Sequence, residues 1–189
     1  PQDNSLTTYA GNTDSFYRIV HIDCGRKYFT VGDLKKIIDY AAASNYTHVE
    51  LAFGNDGLRF LLDDMSLKVD DNTSFDHKTV YDAINAGNKV FYDAGTNELT
   101  ETEMDYLITY ANDKHIGIIP MFDAPGHLQA VIRAMITLGV LSDGKGYSTP
   151  TTSGTSVNWA LDPTNANGVN FVKVLMQKYI TYFAGKGCT

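Results

Sequence analysis

A short apolar strand alternates with an amphipathic helix three times along this chain, and this alternation limits the possible folds strongly. The strands are predicted at 17–22, 47–53 and 117–122, each rich in β-branched, aromatic or other apolar residues. Between them, apolar residues recur at helical spacing. Strands that are buried on both faces and separated by helices form a parallel sheet covered by helices. The predicted fold class is therefore α/β, and an open sheet and a closed barrel both fit the pattern.

Two of the predicted helices begin with a recognisable cap. Thr30 with Asp33, and Thr100 with Glu103, have the spacing of a capping box, in which each side chain bonds the other residue's backbone N–H. These helices are predicted to end near 44–45 and near 113. Three further helices are predicted at about 78–85, in the segment after 128, and from Asp162-Pro163 onward.

Polar side chains follow each of the three strands. Parallel α/β proteins place their functional sites at the carboxyl ends of strands, and this favours a TIM (β/α)8 barrel over an open sheet. Three strands leave two open edges, whereas a barrel of this type closes with eight. We therefore expect 1–16 to be a lead-in and 17–189 to be the N-terminal portion of a barrel that ends before strand 4. The residues gathered at the rim are Asp23, Arg26, Asn55, Asp56, Arg59, Asp123 and His127.

Each rim residue has both a chemical and a structural interpretation. The guanidinium of Arg26 offers fork-like donors to paired hydroxyls or to a carboxylate, but it would also form a salt bridge with Asp23. Asp123 lies four residues before His127 across a Pro-Gly turn, so its carboxylate could orient the imidazole. Alternatively, Asp123 bonds turn amides while His127 caps the next helix. The sequence leaves these alternatives open.

Charge and motif content exclude several classes of function. The chain has 22 acidic and 15 basic residues, a formal net charge of -7, and no basic stripe that would bind nucleic acid. No apolar run approaches the roughly 20 residues of a membrane span, and the first residues lack the pattern of a signal peptide. HExxH, paired cysteines, GxSxG and GxxxxGK[ST] are all missing from the sequence, so no metal and no cofactor is predicted.

Four other residues carry minor predictions. Cys24 and Cys188 are expected to lie at opposite ends of the sheet, roughly 17 Å apart, and to remain free thiols. Tyr147 and Trp159, in and after a Gly-, Ser- and Thr-rich loop, could stack on a sugar or simply anchor the loop.

Taken in order, several segments resemble glycoside hydrolase family 20, the β-N-acetylhexosaminidases. They are HIDCGRKYF with its Asp-x-x-Arg, GNDGLRF, IPMFDAPGHLQA with its Pro-Gly-His, and LDPTNANGVNFVKVLMQKYITYF. LRFLLDDMSL is closer to the surface-attached bacterial exo-β-N-acetylglucosaminidases and lacto-N-biosidases. The resemblance implies a (β/α)8 barrel, a glycan substrate with terminal β-linked N-acetylglucosamine or N-acetylgalactosamine, and a retaining, substrate-assisted mechanism. It also implies an extracellular or cell-surface location in a bacterium.

The resemblance implies roles for four residues of this chain. Arg26 would grip hydroxyls of the terminal sugar, Asp56 would lie at the mouth near that sugar, and Asp123 with His127 would support the catalytic acid. Met121 stands where the family commonly has an acidic residue.

The family's catalytic pair is an adjacent Asp-Glu on the fourth strand, and this chain contains no Asp-Glu dipeptide. Its glutamates, Glu50, Glu98, Glu101 and Glu103, are expected away from the rim. The isolated chain is therefore expected to be inactive. Two alternatives remain: a small α/β carbohydrate-binding module, and a half-barrel that self-associates through its open sheet edges.

Overall fold

A computed structural model of the chain describes residues 16–89, 98–142, 148–150, 156–158 and 160–188. Its elements in chain order are β1 (Ile19–Asp23), α1 (Val31–Ala43), β2 (His48–Asn55), β3 (Gly57–Leu58), β4 (Leu67–Lys68), β5 (Ser74–Phe75), α2 (His77–Asn88), α3 (Glu101–Asp113), β6 (Gly117–Phe122), α4 (Gln129–Thr137), β7 (Ser148–Pro150), β8 (Ser156–Asn158) and α5 (Ala166–Gly185). Tyr147 and Trp159 lie outside the described residues.

A parallel sheet forms the centre of the fold, as predicted. β2 pairs in parallel with β1 on one side and with β6 on the other. Leu51 is in register with Ile22 of β1 and with Pro120 of β6, so the three strands finish at the same edge. β3 turns back and pairs antiparallel with the end of β2. This pairing extends β2 to Asn55, two residues beyond the predicted end.

Alternate residues of β2 face the helical layer. Val49, Leu51 and Phe53 are at most 2% exposed and share one apolar core with Leu34 and Ile38 of α1. α5, the last helix of the chain, also packs against this core. Its buried residues include Phe171, Leu175, Tyr179 and Phe183.

The opposite face of β1 and β2 is open to solvent in part. His21 and Glu50 are cross-strand partners there, and His21 Nδ1 lies 2.6 Å from Glu50 Oε2. Their side chains are 49% and 30% exposed. The central sheet thus has one face packed against helices and one face with accessible polar groups.

Both capping boxes are confirmed, at Thr30 with Asp33 and at Thr100 with Glu103. The helix predicted at 78–85 is longer and runs from His77 to Asn88. The predicted start of the last helix is wrong, since α5 begins at Ala166 with Asn165 as its N-cap. The short ribbons β4–β5 and β7–β8 were not predicted. Cys24 and Cys188 are both free, as expected.

Candidate functional site

The turns that follow β1 and β2 lie directly against each other because two glycines leave no side chain between them. A Cβ added to Gly25 would lie 2.3 Å from the backbone oxygen of Asn55. A Cβ added to Gly57 would lie 2.7 Å from the backbone oxygen of Gly25. Both distances are far below van der Waals contact, so the sequence can bring these backbones this close only with glycine at both positions.

Backbone hydrogen bonds join the loop after β6 to the turn after β2. The N–H of Asp56 donates to the carbonyl of His127 (2.6 Å), and the N–H of Ala130 donates to the carbonyl of Asp56 (2.8 Å). The N–H of Asp123 donates to the carbonyl of Gly54 (2.7 Å). Asp56 and His127 both have positive φ angles, of 60° and 50°, which position them at this junction.

The side chains of Arg26, Asp56 and His127 meet where the three loops come together. Arg26 Nε donates to Asp56 Oδ2 at 2.9 Å, and Arg26 Nη2 lies 2.8 Å from His127 Nδ1. Because a guanidinium has donors only, His127 Nδ1 must be the acceptor in that contact. The imidazole is therefore neutral in this arrangement, with its hydrogen on Nε2.

Asp23 supports the same cluster from the end of β1. Its Oδ1 accepts from the N–H groups of Gly25 (3.2 Å) and Arg26 (3.0 Å). Its Oδ2 accepts from Asn55 Nδ2 at 3.0 Å and lies 3.5 Å from Arg26 Nη1. The predicted Asp23–Arg26 salt bridge is therefore present, together with the contacts of Arg26 to the other two loops.

The electrostatic environment of the rim is acidic. The hydrogen bond that Arg26 donates to Asp56 is the main cause of the raised pKa of Arg26. Burial lowers this pKa, and the negative charges of Asp56, Asp23 and Asp123 raise it further. An anionic ligand would meet these three carboxylates, so the rim suits a neutral ligand with hydroxyl groups. Beneath it, burial and then the charge of Asp23 raise the pKa of the Cys24 thiol to about 12, and the thiol stays protonated.

Two buried oxygen atoms of the rim accept no hydrogen bond within the described part of the chain. They are Asn55 Oδ1 and Asp56 Oδ1. His127 Nδ1 lies 3.4 Å from Asp56 Oδ1, but it carries no hydrogen while it accepts from Arg26. A buried acceptor without a donor is costly, so both atoms are ready to receive a donor from a ligand or a water.

All four predicted site residues lie at this one rim: Arg26, Asp56, Asp123 and His127. His127 contacts Arg26 and Asp56, a pairing that no local pattern could reveal because 71 residues separate Asp56 from His127. The orienting effect of Asp123 on His127 stays a prediction.

Two of the residues predicted at the rim are buried within it. Asn55 is 7% exposed and Arg59 is 3% exposed. Arg59 lies beneath the rim because its guanidinium bonds the backbone of the first turn, where Nε donates to the carbonyl of Gly25.

The four glutamates are engaged elsewhere. Glu50 pairs with His21, roughly 17 Å along β2 from Asn55 at the usual rise per residue. Glu98 accepts from the Tyr81 hydroxyl, Glu101 accepts from the Asp63 N–H, and Glu103 caps α3. None of these contacts involves a rim residue.

In the described ranges, no group of three or more His, Cys, Asp or Glu side chains is arranged to hold a metal ion. A helix long and apolar enough to cross a membrane is likewise missing from the described residues.

Comparison with known proteins identifies the family. Residues 16–187 match the family model described as glycosyl hydrolase family 20, catalytic domain. A solved structure of the pneumococcal exo-beta-D-N-acetylglucosaminidase StrH is 41% identical, with a TM-score of 0.80, over 90% of this chain and 40% of that chain. This chain thus spans about two fifths of the length of that relative.

More distant structures support the fold alone. The N-acetyl-beta-hexosaminidase of Streptomyces plicatus is 20% identical with a TM-score of 0.60, over 88% of this chain and 30% of that chain. The exo beta-N-acetylglucosaminidase of Vibrio harveyi is 17% identical with a TM-score of 0.62, over 89% of this chain and 26% of that chain. The α/β, TIM-barrel fold class is confirmed, with three parallel strands described here. The chain belongs to glycosyl hydrolase family 20.

Proposed function

We propose that this member of glycosyl hydrolase family 20 provides the sugar-gripping part of a site that releases terminal β-linked N-acetylhexosamine from glycans. The observation that carries the proposal is the meeting of Arg26, Asp56 and His127. They come from three separate loops, and their side chains lie 2.8 to 3.4 Å apart at the carboxyl edge of the parallel sheet. That edge is where barrel enzymes hold their substrates.

Arg26 and Asp56 together offer a donor and an acceptor to neighbouring sugar hydroxyls. The Arg26 side chain is 49% exposed, and its guanidinium has five N–H groups, more than its rim contacts use. Asp56 Oδ1 is buried and accepts no hydrogen bond from the described residues. A hydroxyl pair could therefore accept from Arg26 and donate to Asp56.

The reaction proceeds in two steps with retention of configuration. The acetamido oxygen of the substrate attacks the anomeric carbon while an acid protonates the departing glycosidic oxygen, and an oxazolinium ring forms. Water then attacks the same carbon, the ring opens, and the conjugate base of the acid takes the proton. Such chemistry requires one residue to orient the acetamido group and a second residue to act as the acid.

That acid and its partner lie outside this chain in our proposal. The sequence has no Asp-Glu dipeptide, and its four glutamates are engaged away from the rim. His127 would support the acid from this chain, since its imidazole lies at the rim and contacts Arg26 through Nδ1. Asp123, which raises the pKa of Arg26 through its charge, would contribute to the same network.

The relatives and the acidic rim support a proposal for the substrate class. The 41% identical pneumococcal protein is described as a virulence factor that recognises and hydrolyses N-glycans. We extend this to a glycan with terminal β-linked N-acetylglucosamine or N-acetylgalactosamine for this chain, and to a bacterial cell-surface or extracellular location.

The test is hydrolysis of 4-nitrophenyl N-acetyl-β-D-glucosaminide by the purified 189-residue chain, with its intact mass checked in the same sample. No release of nitrophenol is expected, because the chain lacks the acid. Release that disappears in the Arg26→Met variant would contradict the assignment of the acid to residues outside this chain.

A further inference from the structure

The first rim turn is held by side chains rather than by regular secondary structure. The N–H groups of Gly25 and Arg26 both donate to Asp23 Oδ1, at 3.2 and 3.0 Å. Their carbonyls both accept from Arg59, from Nε at 2.5 Å and from Nη2 at 3.3 Å. All four backbone polar groups of this dipeptide are thus fixed, the donors by Asp23 and the acceptors by Arg59.

Arg59 is firmly anchored at its own backbone. Its N–H donates to the carbonyl of Phe53 (2.9 Å), and its carbonyl accepts from the N–H of Leu99 (2.7 Å). Its side chain is almost fully buried and runs beside Gly57, where an added Cβ would lie 3.4 Å from Arg59 Nε. A buried guanidinium with both ends of its side chain fixed has little freedom to reorient.

We propose that Arg59 is a positioning residue, which sets the direction of the Arg26 guanidinium by holding the carbonyls of Gly25 and Arg26. Arg59 bonds the backbone carbonyls of Gly25 and Arg26, so in this proposal it acts on the sugar through Arg26. The proposal deepens the proposed function, because it rests on Arg26 being the group that grips the sugar.

The same chemistry occurs at a second place, which supplies a matched control. Lys178 Nζ donates to the carbonyls of Asp64 (2.8 Å) and Ser66 (2.7 Å), so a partly buried cation again holds two loop carbonyls. That loop has no contact with the rim among those described. Lys178→Met therefore removes an equivalent interaction and leaves the surroundings of Arg26 intact.

The experiment measures hydrogen exchange of the Arg26 Nε–H by NMR in the 189-residue chain. The signal is assigned by its loss in Arg26→Met. In Arg59→Met, we expect exchange to become about tenfold faster or more, because the turn loosens and the bond to Asp56 opens. Arg59→Lys keeps the charge but replaces the planar fork of donors with a single nitrogen, so it should give an intermediate increase. Lys178→Met should leave the rate unchanged.

Equal effects of the Arg59 and Lys178 variants, or an unchanged rate in a folded Arg59 variant, would overturn the proposal. If Arg59→Met fails to fold, the comparison of Arg59→Lys with Lys178→Met decides it. Titration of the wild type with N-acetylglucosamine separates the two hypotheses. If no sugar binds, the proposed sugar site fails, while the exchange rates still decide the role of Arg59.

Discussion

Gly25 leaves no room for a side chain, so even a small substitution there has a large expected effect on stability. In Gly25→Ala, the new methyl group would lie 2.3 Å from the carbonyl oxygen of Asn55 and 2.5 Å from its nitrogen, both backbone atoms. We expect the free energy of unfolding to fall by about 3 kcal/mol, measured by urea denaturation.

Gly126→Ala is the control for that prediction. An added Cβ there meets nothing within 4 Å, so stability should stay within about 0.5 kcal/mol of wild type. If Gly25→Ala loses as little unfolding free energy as Gly126→Ala, the chain relieves the clash with Asn55 at little cost.

Arg26→Lys separates charge from geometry at the rim. Lysine keeps the positive charge but lacks the planar fork that spans Asp56 and His127 at once. We expect the affinity for N-acetylglucosamine, measured by NMR titration, to fall about tenfold or more. Unfolding by urea should change little, since the side chain is half exposed. An unchanged affinity would remove Arg26 from the proposed sugar site.

Single residues at strand ends could be predicted from the sequence, but their partners could not. Polar residues after an apolar run identify the end of a strand, so Arg26, Asp56 and His127 were all identified in advance. The contact between Asp56 and His127 depends on the register of β2 and β6, which no local pattern encodes. The burial of Arg59 was missed for the same reason, because the carbonyls that it bonds belong to a turn 33 to 34 residues away.

At the scale of elements, Lys178 ties α5 to the loop that precedes β4. Its ammonium bonds two carbonyls and the Asp64 carboxylate, and its side chain is 24% exposed. Removing it in Lys178→Met should lower the free energy of unfolding at pH 7 by about 1 to 2 kcal/mol. Urea denaturation of both proteins measures the difference.

The same contact should make that difference depend on pH. The Ser66 hydroxyl, and then Lys178, hold the pKa of Asp64 below its ordinary value. A carboxylate with a lowered folded-state pKa adds stability above its unfolded pKa of about 3.9 and loses it as the pH falls through the folded value. Because Asp64 is largely exposed, solvent screens this contribution. The difference in the free energy of unfolding between wild type and Lys178→Met should therefore stay constant from pH 7 to about pH 4 and narrow as the pH falls below about 3.9 toward the folded-state pKa. A difference that stays constant at the lowest pH would contradict the ion pair.

Helix starts show which local signals suffice. A Thr followed three residues later by an acid identified the starts of α1 and α3 because both halves of the capping box lie within one turn. The start of α5 was misplaced because Asp162 and Asn165 are both good caps, and the proline after Asp162 favoured the earlier one. In the structure Asp162 bonds Thr164 in a turn, and Asn165 accepts from the N–H of Gly168.

At the scale of the whole molecule, the central sheet has unpaired edges. In the described part of the chain, β1 and β6 each pair only with β2. Beside β1, Phe16, Tyr17 and Ile19 are 62%, 74% and 44% exposed. An open edge next to exposed apolar groups favours pairing with another copy of the chain.

We therefore predict that the mass measured by light scattering rises with concentration above the 20.8 kDa of one chain. Ile19→Lys places a charge on this edge and should reduce the association. A constant monomer mass at every concentration would exclude the self-associating half-barrel.

The backbone hydrogen bonds between Asp56, His127 and Ala130 limit how this family member can diversify. A residue inserted or deleted between 54 and 59, or between 123 and 130, would shift both loops out of register at once. Changes of loop length, the usual source of new substrate preference in barrels, are therefore blocked at these two positions. A designer who wishes to alter the proposed sugar site should keep these segments at their present length and graft variation into other loops of the rim.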